Sequence, residues 1–85
     1  MKLEFKQTAF DDFKSWIKND KRKALRIIEL ISDIEKHPFT GIGKPEQLKY
    51  QLQGMMSRRI DIEHRLVYNV ENGTIIIYSC KYHYK

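Results

Sequence analysis

Cysteine is almost absent from this chain, since Cys80 is the only one among 85 residues. A lone cysteine cannot form an internal disulfide, and it has no second thiolate with which to build a zinc site. The chain therefore suits a reducing cytosol. We predict that Cys80 is a buried, unreactive thiol.

Long apolar runs and repeats are missing as well. Residues 1–6 lack an apolar stretch of about 7 to 15 residues, and no run of about 18 apolar residues occurs. We therefore expect a cytoplasmic protein that is neither exported nor inserted in a membrane. No internal repeat or low-complexity tract is present either.

Length and charge narrow the remaining possibilities. A chain of 85 residues allows one domain, residues 1–85, because it buries only about 60 to 65% of its unfolded surface. Sixteen Lys and Arg against eleven Asp and Glu give a net charge of +5, which favours polyanionic partners. Nucleic acid is the leading partner class and an acidic protein the second. The simplest alternative is that the charge only maintains solubility.

The amino-terminal half predicts a short strand followed by two helices. Leu3 and Phe5 alternate with charged residues, as in a strand with one face buried. Thr8 has the position of a helix cap, with Asp11 completing a capping box. A break at Asn19–Asp20 predicts a helical hairpin. The residues predicted to face the core from the helices are Phe10, Phe13, Trp16, Ile17, Ala24, Ile27, Ile28, Ile31 and Ile34.

The carboxy-terminal half predicts an antiparallel meander, because its apolar residues alternate. A loop follows His37–Pro38, and Asn72–Gly73 predicts a tight hairpin turn. The predicted strands cover Leu48 to Leu52, Ile60 to Ile62, Arg65 to Val70 and Ile75 to Tyr82. Two helices on one face of a mainly antiparallel sheet give an α+β fold, which leaves the other face open for a partner.

The predicted open face carries side chains that could cleave RNA without a metal or cofactor. Cleavage needs a base for the 2′-hydroxyl proton, cations for the phosphorane and an acid for the departing 5′-oxygen. Glu46, Arg65 and His83 could fill these roles in that order, since imidazole can hold and release a proton near neutral pH. The candidate groove cations are Lys44, Lys49, Arg58, Arg59, Arg65 and Lys81.

Each candidate also has a simpler interpretation. Glu46 could be a solvated loop acid, and Arg65 could form a surface ion pair that contributes about 0 to 1 kcal/mol. Tyr82 and Tyr84 could pack at a sheet edge. The residues alone therefore leave open both a ribonuclease and a plain RNA-binding or protein-binding domain.

The predicted hairpin also raises a difficulty for His83. Regular pairing around Asn72–Gly73 makes Arg65 face Cys80 and turns His83 to the opposite side of the sheet. Either the hairpin contains a bulge, or the last residues leave the sheet and return the imidazole toward Arg65.

Several spaced blocks carry a family resemblance along nearly the whole chain. They are Trp16, Asp20-Lys21-Arg22, Pro38-Phe39, Gly43-Lys44-Pro45-Glu46, Leu48-Lys49, Gly54, Ser57-Arg58-Arg59-Ile60, Glu63-His64-Arg65-Leu66-Val67-Tyr68 and Cys80-Lys81-Tyr82-His83-Tyr84. Together they resemble the YoeB branch of the RelE superfamily, the ribosome-dependent mRNA interferase toxins of bacterial toxin-antitoxin systems. The chain departs from that pattern at Met55 and Met56, where related toxins often carry aromatics, and at Lys85, which follows the terminal tyrosine.

The resemblance implies a microbial-ribonuclease-like, RelE-like fold and mRNA cleavage in the ribosomal A site of a bacterium. By that analogy the general base is Glu46, the general acid His83, the phosphate-stabilising residues Arg65 and Arg59, and the RNA-positioning residues Lys49 and Tyr84. The products would be a 5′-hydroxyl and a cyclic phosphate.

The resemblance also implies partners. They are mRNA on the ribosome, a YefM-type antitoxin whose disordered tail folds over the toxin, and a second toxin copy in a homodimer. The chain shows no helix-turn-helix signature, so operator DNA would be reached only through the antitoxin. The rival hypothesis is a non-enzymatic RNA-binding or ribosome-binding inhibitor of translation, or a corepressor that acts with its antitoxin.

Overall fold

Two helices cover one face of a five-stranded mixed sheet in the computed structural model, which describes residues 1–82. The elements are β1 (Lys2–Phe5), α1 (Gln7–Asn19), α2 (Lys21–Lys36), β2 (Glu46–Gln47), a 3₁₀ helix (Tyr50–Leu52), β3 (Met56–Arg59), β4 (Arg65–Glu71) and β5 (Thr74–Ser79). The strand order is β1-β5-β4-β3-β2, and only the β1–β5 pair is parallel. The predicted α+β fold is confirmed. The predicted site residues His83 and Tyr84 lie outside the described residues.

The core lies between the helices and the sheet. Its buried residues are Ala9, Trp16, Ala24, Ile27, Leu30, Ile31, Ile34, Met56, Ile60, Leu66, Tyr68, Ile75, Ile77 and Cys80. Burial of one such aliphatic side chain contributes about 1.5 to 3 kcal/mol, so the helical hairpin is held mainly by this contact with the sheet. No helix within residues 1–82 is long and apolar enough to cross a membrane.

The apolar stripe of each helix is narrower than predicted. Phe10, Ile17 and Ile28 were expected in the core, but they are between 45 and 50% exposed. These side chains lie at the margins of the stripes, and Phe10 there meets the Phe5 ring of β1 edge-on, with centroids 6.3 Å apart. Ala9 and Leu30, which the sequence analysis omitted, are fully buried instead.

The predicted cap at Thr8 is wrong. Helix α1 begins at Gln7, and Lys6 is its cap residue without any side-chain cap hydrogen bond. The backbone N–H of Lys6 donates to the carbonyl of Ile77 at 2.9 Å. Because this strand pairing already sets the chain direction, the helix starts directly after β1.

The predicted strand from Leu48 to Leu52 is also wrong. Tyr50–Leu52 forms a 3₁₀ helix, and Tyr50 has a φ of 59°. The local hydrogen bond from the Leu52 N–H to the Lys49 carbonyl replaces ladder pairing there. The predicted strand at Ile60 to Ile62 is displaced as well, because β3 ends at Arg59 and Ile62 is 88% exposed.

The turn of the β4–β5 hairpin is confirmed. Glu71 pairs with Thr74, and Asn72 and Gly73 have φ values of 51° and 73°. Asparagine and glycine tolerate this left-handed backbone region better than other residues do. The local sequence therefore specifies this turn.

A bulge interrupts the same hairpin between Val67 and Tyr68. Tyr68 faces Ile77, yet Val67 faces Ser79, which leaves Tyr78 as the extra residue of β5. Such an insertion bends the strand and changes the face toward which later residues point. One of the two anticipated departures from regular pairing is therefore present.

The last described residues also leave the sheet, because β5 ends at Ser79 rather than at Tyr82, while the expected return of the His83 imidazole lies outside the described residues. Arg65 does not face Cys80. Its backbone N–H instead donates to the carbonyl oxygen of Tyr82 at 3.1 Å. The chain after Cys80 thus leaves the sheet ladder and passes the start of β4.

Candidate functional site

Three of the predicted site residues lie on the open face of the sheet. Arg59 pairs directly with Arg65 across β3 and β4, and Glu46 pairs with Ser57 across β2 and β3. Paired residues of antiparallel strands share a face, as do residues two apart in one strand. Glu46 is therefore a diagonal neighbour of Arg59 and shares its face with Arg65. The opposite face of β3 and β4, which carries Leu66, packs against the helices.

Backbone carbonyl groups hold the guanidinium of Arg65. Its Nη1 donates to the carbonyl oxygens of Asp61 at 2.9 Å, Ile62 at 3.3 Å and His64 at 3.2 Å. Among the described residues Arg65 forms no ion pair, although the alternative interpretation gave it one. Arg65 is 9% exposed, and its neutral acceptors leave the positive charge without a counter-ion among the described residues.

The loop that supplies these carbonyls is shaped by Asp61. Its Oδ1 accepts hydrogen bonds from the N–H groups of Glu63 at 2.8 Å and His64 at 2.6 Å. Lys23 of α2 bridges Asp61 and Asp20 at 3.1 and 2.8 Å. Burial opposes ionisation of Asp61, but the two amides and Lys23 outweigh it and hold the pKa of this carboxyl below its usual range. The ionised Asp61 thus ties the loop to the helical hairpin.

Glu46 lies on the exposed edge strand β2. Within residues 1–82 its carboxylate takes part in no ion pair, so it has no fixed cationic partner that would compete with a proton. The predicted binding residues Lys44, Lys49 and Arg59 are also exposed. The backbone N–H of Arg59 donates to the Gly43 carbonyl at 2.7 Å. This hydrogen bond connects strand β3 to the loop that precedes β2.

Arg58 is not part of an exposed basic face, and that prediction is wrong. Its side chain is fully buried on the helix side of the sheet. Nε donates to the Tyr68 hydroxyl at 3.0 Å, and Nη1 pairs with Asp33 at 2.5 Å. The guanidinium also binds the carbonyl oxygens of His37, Thr40 and Ile42. Every other residue of a strand points to the same face, so Arg58 cannot join Arg59.

The prediction that Lys81 is one of the groove cations is also wrong. Its Nζ hydrogen-bonds to the Ser15 hydroxyl at 3.1 Å and lies 5.0 Å from the centroid of the Trp16 ring. Both residues belong to α1, on the side of the sheet opposite Arg59. The strand β5 ends at Ser79, so strand alternation no longer sets the side toward which Lys81 points.

Several residues that were not predicted as site residues hold the chain that leads to His83. Trp16 donates from Nε1 to the Cys80 carbonyl at 2.8 Å, and Asp12 accepts the Cys80 N–H at 3.0 Å. The Nδ1 atom of His64 accepts the Tyr82 N–H at 2.7 Å. A usable signal was present for Asp12, because it lies four residues from Trp16 and so on the same helix face.

A cleft of about 670 Å³ adjoins β2 and includes Lys49, Tyr50 and Met55 in its lining. Met55 is partly exposed there, whereas Met56 is buried in the core and its sulfur lies 3.8 Å from the Tyr68 hydroxyl oxygen. The two methionines that depart from the family pattern therefore differ in role. In the part of the chain that the structure describes, no group of three His, Cys, Asp or Glu side chains is arranged to hold a metal ion.

Comparison with known proteins supports one family. The family described as YoeB-like toxin of bacterial type II toxin-antitoxin system matches residues 5–84. Toxin YoeB of Escherichia coli K12 is 49% identical over 84 residues, which cover 99% of this chain and 100% of that toxin. The chain also resembles a toxin in a heterotetrameric YoeB-YefM complex from Staphylococcus aureus, with 48% identity, a TM-score of 0.92, and coverage of 99 and 98%. A YoeB dimer from Staphylococcus aureus gives 48% identity, a TM-score of 0.93 and the same coverage.

Proposed function

The chain belongs to the YoeB-like toxins of bacterial type II toxin-antitoxin systems, and we propose on this basis that it is an endoribonuclease that cleaves mRNA in the ribosomal A site and so stops translation. One geometric observation supports this activity most. The sheet places a carboxylate, Glu46, on the same open face as two arginines, Arg59 and Arg65.

The proposed reaction is an acid-base cleavage that uses no metal. Glu46 removes the proton of the 2′-hydroxyl, and the 2′-oxygen attacks the adjacent phosphorus. Arg65 and Arg59 neutralise the charge that develops on the phosphorane. His83 donates a proton to the 5′-oxygen as the bond between phosphorus and that oxygen breaks. The products are a cyclic phosphate on the upstream fragment and a 5′-hydroxyl on the downstream one.

The open face explains why we propose that the ribosome takes part. Each proton-transfer group contributes about 10² to 10⁴ in rate, and only when the reacting atoms are aligned. Glu46, Lys44 and Lys49 are exposed, so the toxin alone does not enclose an RNA strand. We propose that the ribosome presents the message in a fixed geometry, while Lys49 and Tyr84 position it on the toxin.

The proposed partners follow from the relatives. We propose a YefM-type antitoxin whose tail covers the basic face, since the similar Staphylococcus aureus toxin occurs in a YoeB-YefM complex. Homodimer formation is proposed from the YoeB dimer of the same organism. The antitoxin would read operator DNA, and the toxin would act as a single domain, residues 1–85, in the bacterial cytoplasm.

Primer extension on an mRNA tests the activity. Purified toxin is incubated with ribosomes programmed with that message, and in parallel with the same RNA alone. We expect a sharp cut in the A-site codon only with ribosomes, and no cut with Glu46→Gln, Arg65→Gln or His83→Gln. Each of these variants keeps the length or polarity of the side chain and removes one chemical role.

Two outcomes would contradict the proposal. Cleavage at the wild-type rate by all three variants would refute the assigned mechanism. Blocked translation with an uncut message would identify an inhibitor that acts by occupying the ribosome, which is the rival function.

A further inference from the structure

We infer that His64 is a positioning residue, whose imidazole fixes the backbone of Tyr82 and thereby the chain that continues to His83. The inference rests on the proposed function, because it concerns the chain that leads to the proposed acid, His83. It assigns a role to a buried imidazole that the proposed chemistry leaves unused.

Two successive residues bind both backbone polar groups of Tyr82. The Tyr82 N–H donates to Nδ1 of His64 at 2.7 Å, and the Tyr82 carbonyl accepts the N–H of Arg65 at 3.1 Å. The start of β4 and the residue before it therefore bind both the N–H and the carbonyl of Tyr82, where the chain leaves the sheet. One of the two hydrogen bonds comes from Arg65, which also carries the guanidinium proposed to bind phosphate. Any shift of Tyr82 therefore changes the distance between this chain and that guanidinium.

The backbone of Tyr82 needs this support. Its φ is 62°, in the left-handed region, and β5 has already ended at Ser79. A residue with a side chain is strained in that region. The Tyr82 side chain is 60% exposed, so its own burial offsets little of that strain. Among the described contacts, the hydrogen bonds to His64 and Arg65 hold this backbone, and the Tyr82 ring also lies 5.5 Å from the His64 ring between centroids.

The imidazole itself is held rigidly. His64 is 6% exposed, and its ring meets the Trp16 ring edge-on with centroids 4.8 Å apart. Asp61 accepts the His64 N–H, which fixes the backbone of the same residue. Trp16 in turn binds the Cys80 carbonyl at 2.8 Å. These contacts fix the orientation of the ring, with Nδ1 facing the Tyr82 N–H.

The chemistry of the ring matters beyond its packing. Because Nδ1 accepts a hydrogen bond, the neutral ring carries its proton on Nε2, which lies 3.5 Å from a carboxylate oxygen of Glu63. A phenyl ring in this place keeps the contact with Trp16 but offers no acceptor to the Tyr82 N–H. Packing and positioning can thus be separated by substitution.

Three variants provide the test. His64→Phe keeps an aromatic ring and removes the acceptor. His64→Asn places its amide oxygen near the position of Nδ1, whereas the longer His64→Gln carries its oxygen toward the position of Nε2. Asparagine and glutamine have the same polarity, so each serves as the matched control of the other.

Single-turnover cleavage of mRNA on programmed ribosomes measures the effect. A misplacement of about 1 Å costs about 10²-fold in rate. We expect His64→Phe and His64→Gln to lower the cleavage rate constant by about 10- to 100-fold with little change in KM, and His64→Asn to recover most of that loss. Amide NMR should show an upfield shift of the Tyr82 N–H signal in the first two variants and not in His64→Asn.

The outcomes separate this inference from the proposed function. If the wild-type toxin leaves ribosome-bound mRNA uncut, the proposed function is contradicted. The Tyr82 amide shift then still tests whether His64 binds the Tyr82 N–H. If the wild type cuts and His64→Gln cuts equally fast, the positioning role is refuted. If His64→Phe fails to fold, the comparison of His64→Asn with His64→Gln still tests the positioning role. An equal loss of cleavage rate in both variants would show that His64 serves only in packing.

Discussion

Arg58 and Arg59 are neighbours in β3 whose side chains lie on opposite faces of the sheet. Arg58 is fully buried and satisfies Asp33, Tyr68 and the loop after α2, whereas Arg59 is exposed opposite Arg65. A guanidinium has five donors, and the Arg58 network uses them to close the loop from His37 to Ile42 onto the core. Two identical side chains thus serve stability and the candidate site separately.

Substitution of each arginine by glutamine should separate these roles. Arg58→Gln leaves the Asp33 carboxylate without its cation and several carbonyls without a partner, so we expect a loss of about 3 kcal/mol in the free energy of unfolding. Arg59→Gln should change stability by less than about 0.5 kcal/mol, yet slow cleavage on the ribosome. Urea unfolding and single-turnover cleavage measure the two effects. Equal loss of stability in both variants would contradict this division.

Gly41 should resist substitution more than Gly54 does. Both have positive φ values, 118° and 94°, so alanine strains the backbone at either position. A Cβ at Gly41 would lie 2.0 Å from Asp33 Oδ2, whereas one at Gly54 meets no atom within 4 Å. Gly41→Ala should therefore cost at least about 1 kcal/mol more than Gly54→Ala in thermal or urea unfolding. Similar costs would show that the Asp33 carboxylate can move without loss.

The Asp33 carboxyl should make stability depend on pH in the acid range. Arg58, followed by the Ile42 N–H, holds the pKa of Asp33 below its usual range. The folded state therefore binds the proton less readily than the unfolded chain, whose aspartate pKa is about 3.9. The resulting stabilisation is present above about pH 4 and is lost as the pH falls through the lower pKa of the folded state.

Urea unfolding between about pH 5 and pH 2 measures this contribution. The wild type should lose stability across that range more steeply than Asp33→Asn, which carries no titrating carboxyl at this position. Glu35→Gln, at an exposed residue without an ion pair in the described part of the chain, serves as the control. If the free energy of unfolding falls with pH equally in the wild type and in Asp33→Asn, the Asp33 carboxyl does not contribute to the pH dependence.

Cys80 should react with a thiol reagent only after unfolding. The side chain is fully buried, its Sγ lies 3.4 Å from the Ala9 carbonyl, and burial together with the Asp12 charge raises the thiol pKa to about 12. The reactive thiolate is therefore nearly absent at neutral pH. We expect iodoacetamide to label the native protein at least about 100-fold more slowly than the urea-unfolded protein. Comparable labelling rates would mean that the thiol is accessible.

The patterns that predicted well were local ones. Asn72–Gly73 specifies its turn because few residues tolerate the backbone angles that both positions adopt. Ala24, Ile27, Ile31 and Ile34 repeat at helical spacing, and all four are buried in the helix α2 face that meets the sheet. The predicted strand from Arg65 agrees with β4 because alternation there was long enough to be unambiguous. The family resemblance also drew on Arg65 to Tyr68 of this strand.

The failures share a different cause. A bulge was anticipated in this hairpin as one of two alternatives, but its position at Val67–Tyr68 leaves no mark in the alternation, because only the pairing shifts. The burial of Arg58 likewise depends on which strand face the helices cover, and on carbonyl groups that arrive from a distant loop. No pattern within a few residues contains that information.

The sequence by itself determined the charge, the helical hairpin, the order of the main elements and the residue types of the candidate site. Only the tertiary structure decided that Arg58 stabilises the core, that Lys81 turns toward α1, and that His64 holds Tyr82 beside Arg65. The physical reason is that element type follows from local backbone preferences and apolar period. The face, partner and orientation of a side chain depend on strand register and on contacts between residues far apart in the chain.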